Sequence, residues 1–195
     1  MVDLTGLRGQ TGFYHMAVEE EALAHGGRET ASVDIRFALP SDADALALLS
    51  QELLAFYSLP VHYQRSYMAH VIADKAFRDP PAVEILLATG ADRAIGFLAF
   101  NETFALANCQ SAVFIQDLFV TRKARTGGIG RRLMTRLAEI CVERGVTQLD
   151  WTADPWNDKA RTFYEAMGPL LKSEKMYYRL LGPHLTRLAD SEGPH

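Results

Sequence analysis

The residues from Arg125 to Gly130, Arg-Thr-Gly-Gly-Ile-Gly, have types and spacing suited to holding an anion. They stand between the apolar stretch Phe114–Val120 and the amphipathic stretch that runs on through Leu133 and Met134. A strand that feeds a glycine turn and then a helix aims several unpaired amides at one point, with the positive end of the helix dipole behind them. Phosphate suits such a point. Gly128 and Gly130 matter because a Cβ there would hold the backbone away from the phosphate oxygens. A Walker-type loop needs Lys followed by Ser or Thr after its last glycine, and here Arg131 and Arg132 follow Gly130. A dinucleotide fingerprint needs a third glycine within a parallel βαβ unit, and Gly128-Ile-Gly130-Arg-Arg-Leu133 lacks it.

The elements around this turn follow from periodicity. Val33–Phe37 alternates as a half-buried strand. Pro40-Ser41-Asp42 reads as a helix start, with Ser41 as the N-cap and Asp44 in the first turn. Leu46, Leu49, Leu53 and Phe56 then carry a helix to about Tyr57, closed by Leu59-Pro60. A second helix is expected over Gln64–Phe77. Val83–Ala88 and Ile95–Asn101 read as a hairpin joined by Thr89–Arg93, and Ala112–Val120 as the next strand. Leu133, Met134, Leu137, Ile140 and Cys141 share one face of a helix over Gly128–Arg144, which Gly145 ends. A strand over Val146–Thr152 and a helix over Asp158–Met167 follow. Leu170-Leu171 and Lys175–Leu181 read as a closing strand pair, and a short helix with loose polar residues as the tail. This order predicts an α/β (α+β) fold, a mixed sheet with an antiparallel meander and one crossover helix.

Length, composition and charge narrow the class. The 195 residues are expected to make one main domain over 33–183, with an N-terminal extension over 1–32 and a C-terminal tail over 184–195. Ala17–His25 has helix-forming residues. Apolar residues at 48% and charged residues at 23% are ordinary for a globular protein, and a formal charge of −4 argues against general nucleic-acid binding. Cys109 and Cys141 make neither a disulfide framework nor a zinc site, and no metal is expected. No apolar run reaches the roughly 18 to 20 residues that cross a bilayer, and no signal peptide is indicated, so the expected compartment is the cytoplasm.

Arg125-x-x-Gly128-x-Gly130, with its strand and helix, resembles the signature of the GNAT N-acetyltransferase superfamily. A second segment strengthens the likeness: Asn157-Asp-Lys-Ala160-Arg-Thr-Phe163-Tyr164-Glu-Ala-Met-Gly168, placed just after a strand, is similar to that family's second cofactor-binding segment. The resemblance spans 33–181. Within the family, Asp117-Leu-Phe-Val120, Asp154-Pro-Trp156-Asn157 and Glu174-Lys-Met-Tyr-Tyr-Arg-Leu180 look most like the diamine (spermidine/spermine) acetyltransferase branch.

The resemblance implies a central mixed, mostly antiparallel twisted sheet flanked by helices, with acetyl-CoA as the acyl donor. The amides of Thr126, Gly127, Gly128, Ile129, Gly130 and Arg131 would hold the pyrophosphate, with Arg125 and Arg131 adding charge. Leu118, Phe119 and Val120 would pair with the pantetheine arm through their backbone, as an added strand does, while their side chains stay in the core. An N–H near Leu118 would polarise the thioester carbonyl. Asn157 and Ala160 would contact the cofactor, with capping the alternative role of Asn157. Tyr164 would protonate the departing thiolate and Asp117 would receive the amine or its proton. Gln116, Asp117, Trp156 and Glu174 would border the acceptor. The branch often has a second acid beside the position of Asp117; Gln116 stands there instead and removes one anion from the amine pocket. Asp150, Asp154, Glu52 and Glu174 are further candidates for the role of Asp117, with a solvated carboxylate the alternative reading of each.

The reading is direct acetyl transfer to a primary amine of a small molecule such as a polyamine, diamine or amino acid, in a homodimer that engages neither nucleic acid nor membrane. An antibiotic or a protein N-terminus as acceptor, or a non-catalytic acyl-CoA-binding module, are the alternatives.

Overall fold

The computed structural model describes residues 15–17, 33–91, 93–173, 176 and 178–190. Strands β1 (His15–Ala17), β2 (Asp34–Phe37), β3 (Glu84–Gly90), β4 (Arg93–Ala105), β5 (Gln110–Val120) and β6 (Leu149–Asp150) form one sheet. Strands β2 to β5 lie side by side in chain order and antiparallel, while β1 and β6 both run parallel to β5 along its outer edge. Helices α1 (Ala43–Phe56) and α2 (Arg65–Ala76) precede β3; α3 (Ile129–Glu143), α4 (Asp158–Glu165) and α5 (Gly182–Asp190) follow β5. The mixed, mostly antiparallel sheet flanked by helices is therefore observed.

Two apolar layers fix the helices. Leu46, Leu49 and Leu53 of α1 meet Leu87, Phe97, Ala99 and Phe119 on one face of the sheet. On the other, Leu133, Met134, Leu137, Ile140 and Cys141 of α3, with Ala160 and Tyr164 of α4, meet Leu98, Phe100, Val113, Ile115, Leu118 and Val120. Each large aliphatic side chain so buried contributes about 1.5–3 kcal/mol. Burial also raises the pKa of the Cys141 thiol, so it stays protonated as a small apolar group.

Three details differ from expectation. Ser41 does not cap α1: a 3-10 turn spans Pro40–Asp42, and the Asp42 carboxylate accepts from the Leu39 N–H at 2.7 Å and from Arg36 at 2.7 and 3.0 Å. One acid thereby serves both the turn and a guanidinium, whose hydrogen bonds hold its pKa below the usual carboxylate range. Ala17, expected in a helix, ends strand β1, because pairing with β5 outweighs a local helix preference; residues 18–25 lie outside the described residues. No described residue of 170–181 is in a strand, and Leu171, Met176 and Tyr178 are exposed there rather than packed in a sheet. Glu174 and Lys175 of the expected closing strand lie outside the described residues.

The β4–β5 pair carries the feature that shapes the site. Its register runs from Gly96↔Val120 to Ala99↔Asp117, then shifts to Phe100↔Ile115, leaving Gln116 as an extra residue on β5. Such a bulge reverses which face the following side chains take. Val113 and Ile115 point to the α3 layer, and so do Leu118 and Val120, three and five residues after Ile115. Asp117 faces the α1 side with its partner Ala99, as Phe119 does with Phe97.

Gly96 lets β4 lie close to the end of β5. A Cβ at this position would meet the Phe119 carbonyl oxygen at 2.7 Å and Val120 Cα at 3.3 Å. Backbone cannot yield as a side chain does, so Gly96→Ala is expected to cost about 1–3 kcal/mol. Urea denaturation should show a lower midpoint with an unchanged slope; an unchanged midpoint would mean that β4 relaxes freely there.

Candidate functional site

The turn after β5 is built of two short pieces. A 3-10 segment over Arg122–Gly127 leads to Gly128, whose φ of 67° is left-handed and suits glycine. Helix α3 starts at Ile129, and its first helical bond is Arg132 N–H to Gly128 O at 3.1 Å. The amides from Gly128 to Arg131 precede that bond and have no acceptor within the helix. Ile129 is buried in the α3 layer and fixes the direction in which those amides point. Gly127, Gly128 and Arg131 are exposed, and an open groove of about 610 Å³ extends from them between α3 and β2. Arg132 borders it and donates to the Val33 carbonyl at 2.6 Å. The backbone of Thr126 lies within the 3-10 segment.

Arg125 stands elsewhere than a phosphate-facing charge would. It is 7% exposed, its Nε donates to the Val120 carbonyl at 2.9 Å, and its guanidinium lies 5.0 Å from the Phe56 ring centre and 5.8 Å from that of Phe119. Guanidinium is weakly hydrated and stacks on aromatic faces, which accounts for its burial. Arg125 thus clamps the glycine turn to β5 and α1.

On the α3 side, Asn157 caps α4: its Oδ1 accepts the Ala160 N–H at 3.1 Å, while Asn157 is 5% exposed and Ala160 fully buried. Loss of such a cap costs about 1 kcal/mol. One turn beyond Ala160, Tyr164 is 3% exposed, with its ring 5.1 Å from Trp151 and 5.4 Å from Phe163. Its hydroxyl has no hydrogen-bond partner among the described residues. Burial, with a smaller contribution from Tyr57, pushes its pKa well above the ordinary phenol value, so the group is neutral and available as a donor. Tyr164 and Leu118 belong to one apolar cluster, which brings α4 and the end of β5 together.

The α1 side carries a row of aromatic rings. Phe56 and Tyr57 close α1 with rings 5.1 Å apart, and Tyr57 meets Trp156 edge-on at 5.7 Å. Trp156 is 62% exposed, so it borders open space rather than sealing the helix. Asp117 is half-buried on this face. Asp154, a further candidate from the sequence, is also half-buried rather than solvated, and burial raises the pKa of its carboxyl. Asp150 and Glu52 are exposed. Leu118, Val120, Ile129, Ala160 and Tyr164 share one apolar cluster, whereas Asp117 and Phe119 face the α1 side and the exposed glycines border the groove beside β2. Phe56 and Tyr57 read from the sequence only as the end of a helix, with no site role; two adjacent aromatics there are the available signal.

The outer edge of β5 is divided. Val113 and Phe114 pair with Leu149 and Asp150 of β6, whereas Leu118 and Phe119 pair with His15 and Ala17 of β1. Among the described residues no group of three or more His, Cys, Asp or Glu is placed to hold a metal, and no helix is long and apolar enough to cross a membrane.

Residues 46–168 match the family model for the acetyltransferase (GNAT) family. The L-ornithine N5-acetyltransferase of Arabidopsis thaliana is 32% identical over 90 residues, covering 46% of this chain and 40% of that protein. The D-amino-acid N-acetyltransferase of Saccharomyces cerevisiae is 27% identical over 149 residues, covering 73% of this chain and 87% of that protein. Among solved structures, an integron cassette protein from the mobile metagenome of V. cholerae superposes with a TM-score of 0.74 at 31% identity, covering 82% of this chain and 99% of that one. The family match takes in strands β3 to β6, the glycine turn and the capped helix α4, and the chain belongs to the GNAT family of acetyltransferases.

Proposed function

We propose that the protein transfers an acetyl group from acetyl-CoA directly to a primary amine of a small molecule, of the amino-acid or diamine class. The buried Tyr164 hydroxyl carries this reading, because a phenol without a protein partner among the described residues is costly to keep unless a ligand uses it. Acetyl-CoA would supply the acyl group as a thioester. The amides of Gly128 to Arg131 would take the pyrophosphate, with Arg131 adding charge at the rim. The backbone of Leu118 to Val120 would orient the pantetheine arm, and an N–H beside Leu118 would draw charge onto the carbonyl oxygen.

The amine nitrogen bonds to the acyl carbon as the carbon–sulfur bond breaks. Tyr164 gives its proton to the sulfur and recovers one from solvent, while Asp117 takes the amine's surplus proton through water. A phenol with a raised pKa can still do this, because the same apolar surroundings also raise the proton affinity of the thiolate. Asn157 would hold the start of α4 in place beside the donor. Relatives that act on L-ornithine and on D-amino acids support an acceptor of amino-acid type, as does Gln116 in the position where a polyamine pocket would carry a second acid.

Acetyl-CoA incubated with a panel of amino acids, diamines and polyamines should release free thiol with at least one of them. Tight CoA binding without turnover on any amine would reject catalysis and leave a binding module. Tyr164→Phe is expected to lower kcat by about 100-fold or more, the usual scale of a positioned general acid, with CoA affinity kept. The same substitution removes an unpaired buried hydroxyl, so the ligand-free variant should be as stable as the wild type or more so. An unchanged kcat would remove Tyr164 from the acid role. Tyr57→Ala should raise KM for the amine by about threefold to tenfold, the scale of one lost aromatic contact, and leave KM for acetyl-CoA alone. A change in the acetyl-CoA KM instead would put Tyr57 on the donor side.

A further inference from the structure

The backbone groups of β5 have only two edges on which to pair. The inner edge is committed to β4 along the strand. On the outer edge, β6 pairs through Phe114↔Asp150 and goes no further, so the end of β5 from Ile115 on is not paired with β6. Strand β1 pairs there instead, parallel to β5, with His15 opposite Leu118 and Ala17 opposite Phe119, and it also touches α4. Leu118 and Phe119 are the residues that the donor reading assigns to the pantetheine arm. A single strand edge cannot serve two extended partners at one place.

We infer that residues 15–17 are an intramolecular stand-in for the pantetheine arm, an autoinhibitory strand that must leave β5 before acetyl-CoA can bind. The inference rests on the acyl-donor reading above. A three-residue parallel pairing is among the weaker sheet contacts, which suits a strand meant to be displaced. The β2–β3 ladder does not involve β1, so its pairing does not depend on β1. The apparent affinity for CoA is reduced to the open fraction of its intrinsic value, and a pairing of this size corresponds to an open fraction of about one tenth, hence about tenfold.

Two measurements on the full chain test it. Hydrogen exchange of the wild type at saturating CoA should show faster exchange at 15–17 and kept protection at 118–120. Protection at 15–17 that stays or grows would mean that strand and CoA coexist, and would overturn the inference. In Met16→Pro/Ala17→Pro, two adjacent prolines remove the N–H on both edges of β1, including whichever faces β5, and disfavour pairing. Calorimetry should then give a Kd for CoA about tenfold below the wild type, and an equal Kd would overturn the inference while leaving the donor reading intact. If CoA binds neither protein, the donor reading fails and takes this inference with it. If the double variant does not fold, the wild-type exchange result decides alone.

Discussion

The site depends on how β4 holds β5 around one extra residue. With an unbroken period of two, Asp117 and Phe119 would follow Val113 and Ile115 into the α3 layer, and a carboxylate would be buried among leucines. The bulge at Gln116 prevents this by changing phase once. Beyond it, Leu118 and Val120 anchor the strand end in the larger core, while Asp117 turns to the face where Tyr57 and Trp156 stand. On the proposed reading, the donor edge and the acceptor face would be two sides of the same few residues.

Arg125 makes that junction rigid. A single guanidinium bonds the Val120 carbonyl and lies against rings from α1 and β5. The turn that presents the amides of α3 is thereby fastened to the helix that carries Phe56 and Tyr57. Tyr164 supplies the opposite quality: its ring is well packed, yet its hydroxyl is unsatisfied among the described residues, so local stability has been given up at one atom. Rigid surroundings and one uncompensated polar group are what a preorganised acid requires.

Much of this could be read from the chain because local chemistry decides it. The 3.6-residue spacing of Leu133, Leu137 and Ile140 carries α3, and Asn157 before Ala160 carries the cap of α4. The switch of phase at Gln116-Asp117 is also visible between two apolar pairs. Contacts between residues far apart in the chain left no local mark. Arg125 follows the motif, but its burial depends on Phe56 some seventy residues earlier in the chain. The edge-on contact of Tyr57 with Trp156 and the pairing of His15–Ala17 with β5 are of the same kind. The helix-forming composition around Ala17 likewise carries no trace of the β5 edge with which Ala17 pairs, about a hundred residues later in the chain.

The close approach at Gly96 also bears on how the sheet finds its register. A slip of two residues between β4 and β5 would leave every side chain on its own face, so the apolar layers alone discriminate weakly against it. Such a slip would carry Ala94 or Leu98 to the place of Gly96, where any Cβ runs into the Phe119 carbonyl. A glycine so placed works as a key: misaligned pairings of the same two strands are refused by backbone contact, and the chain settles in the one alignment that leaves Asp117 opposite Ala99.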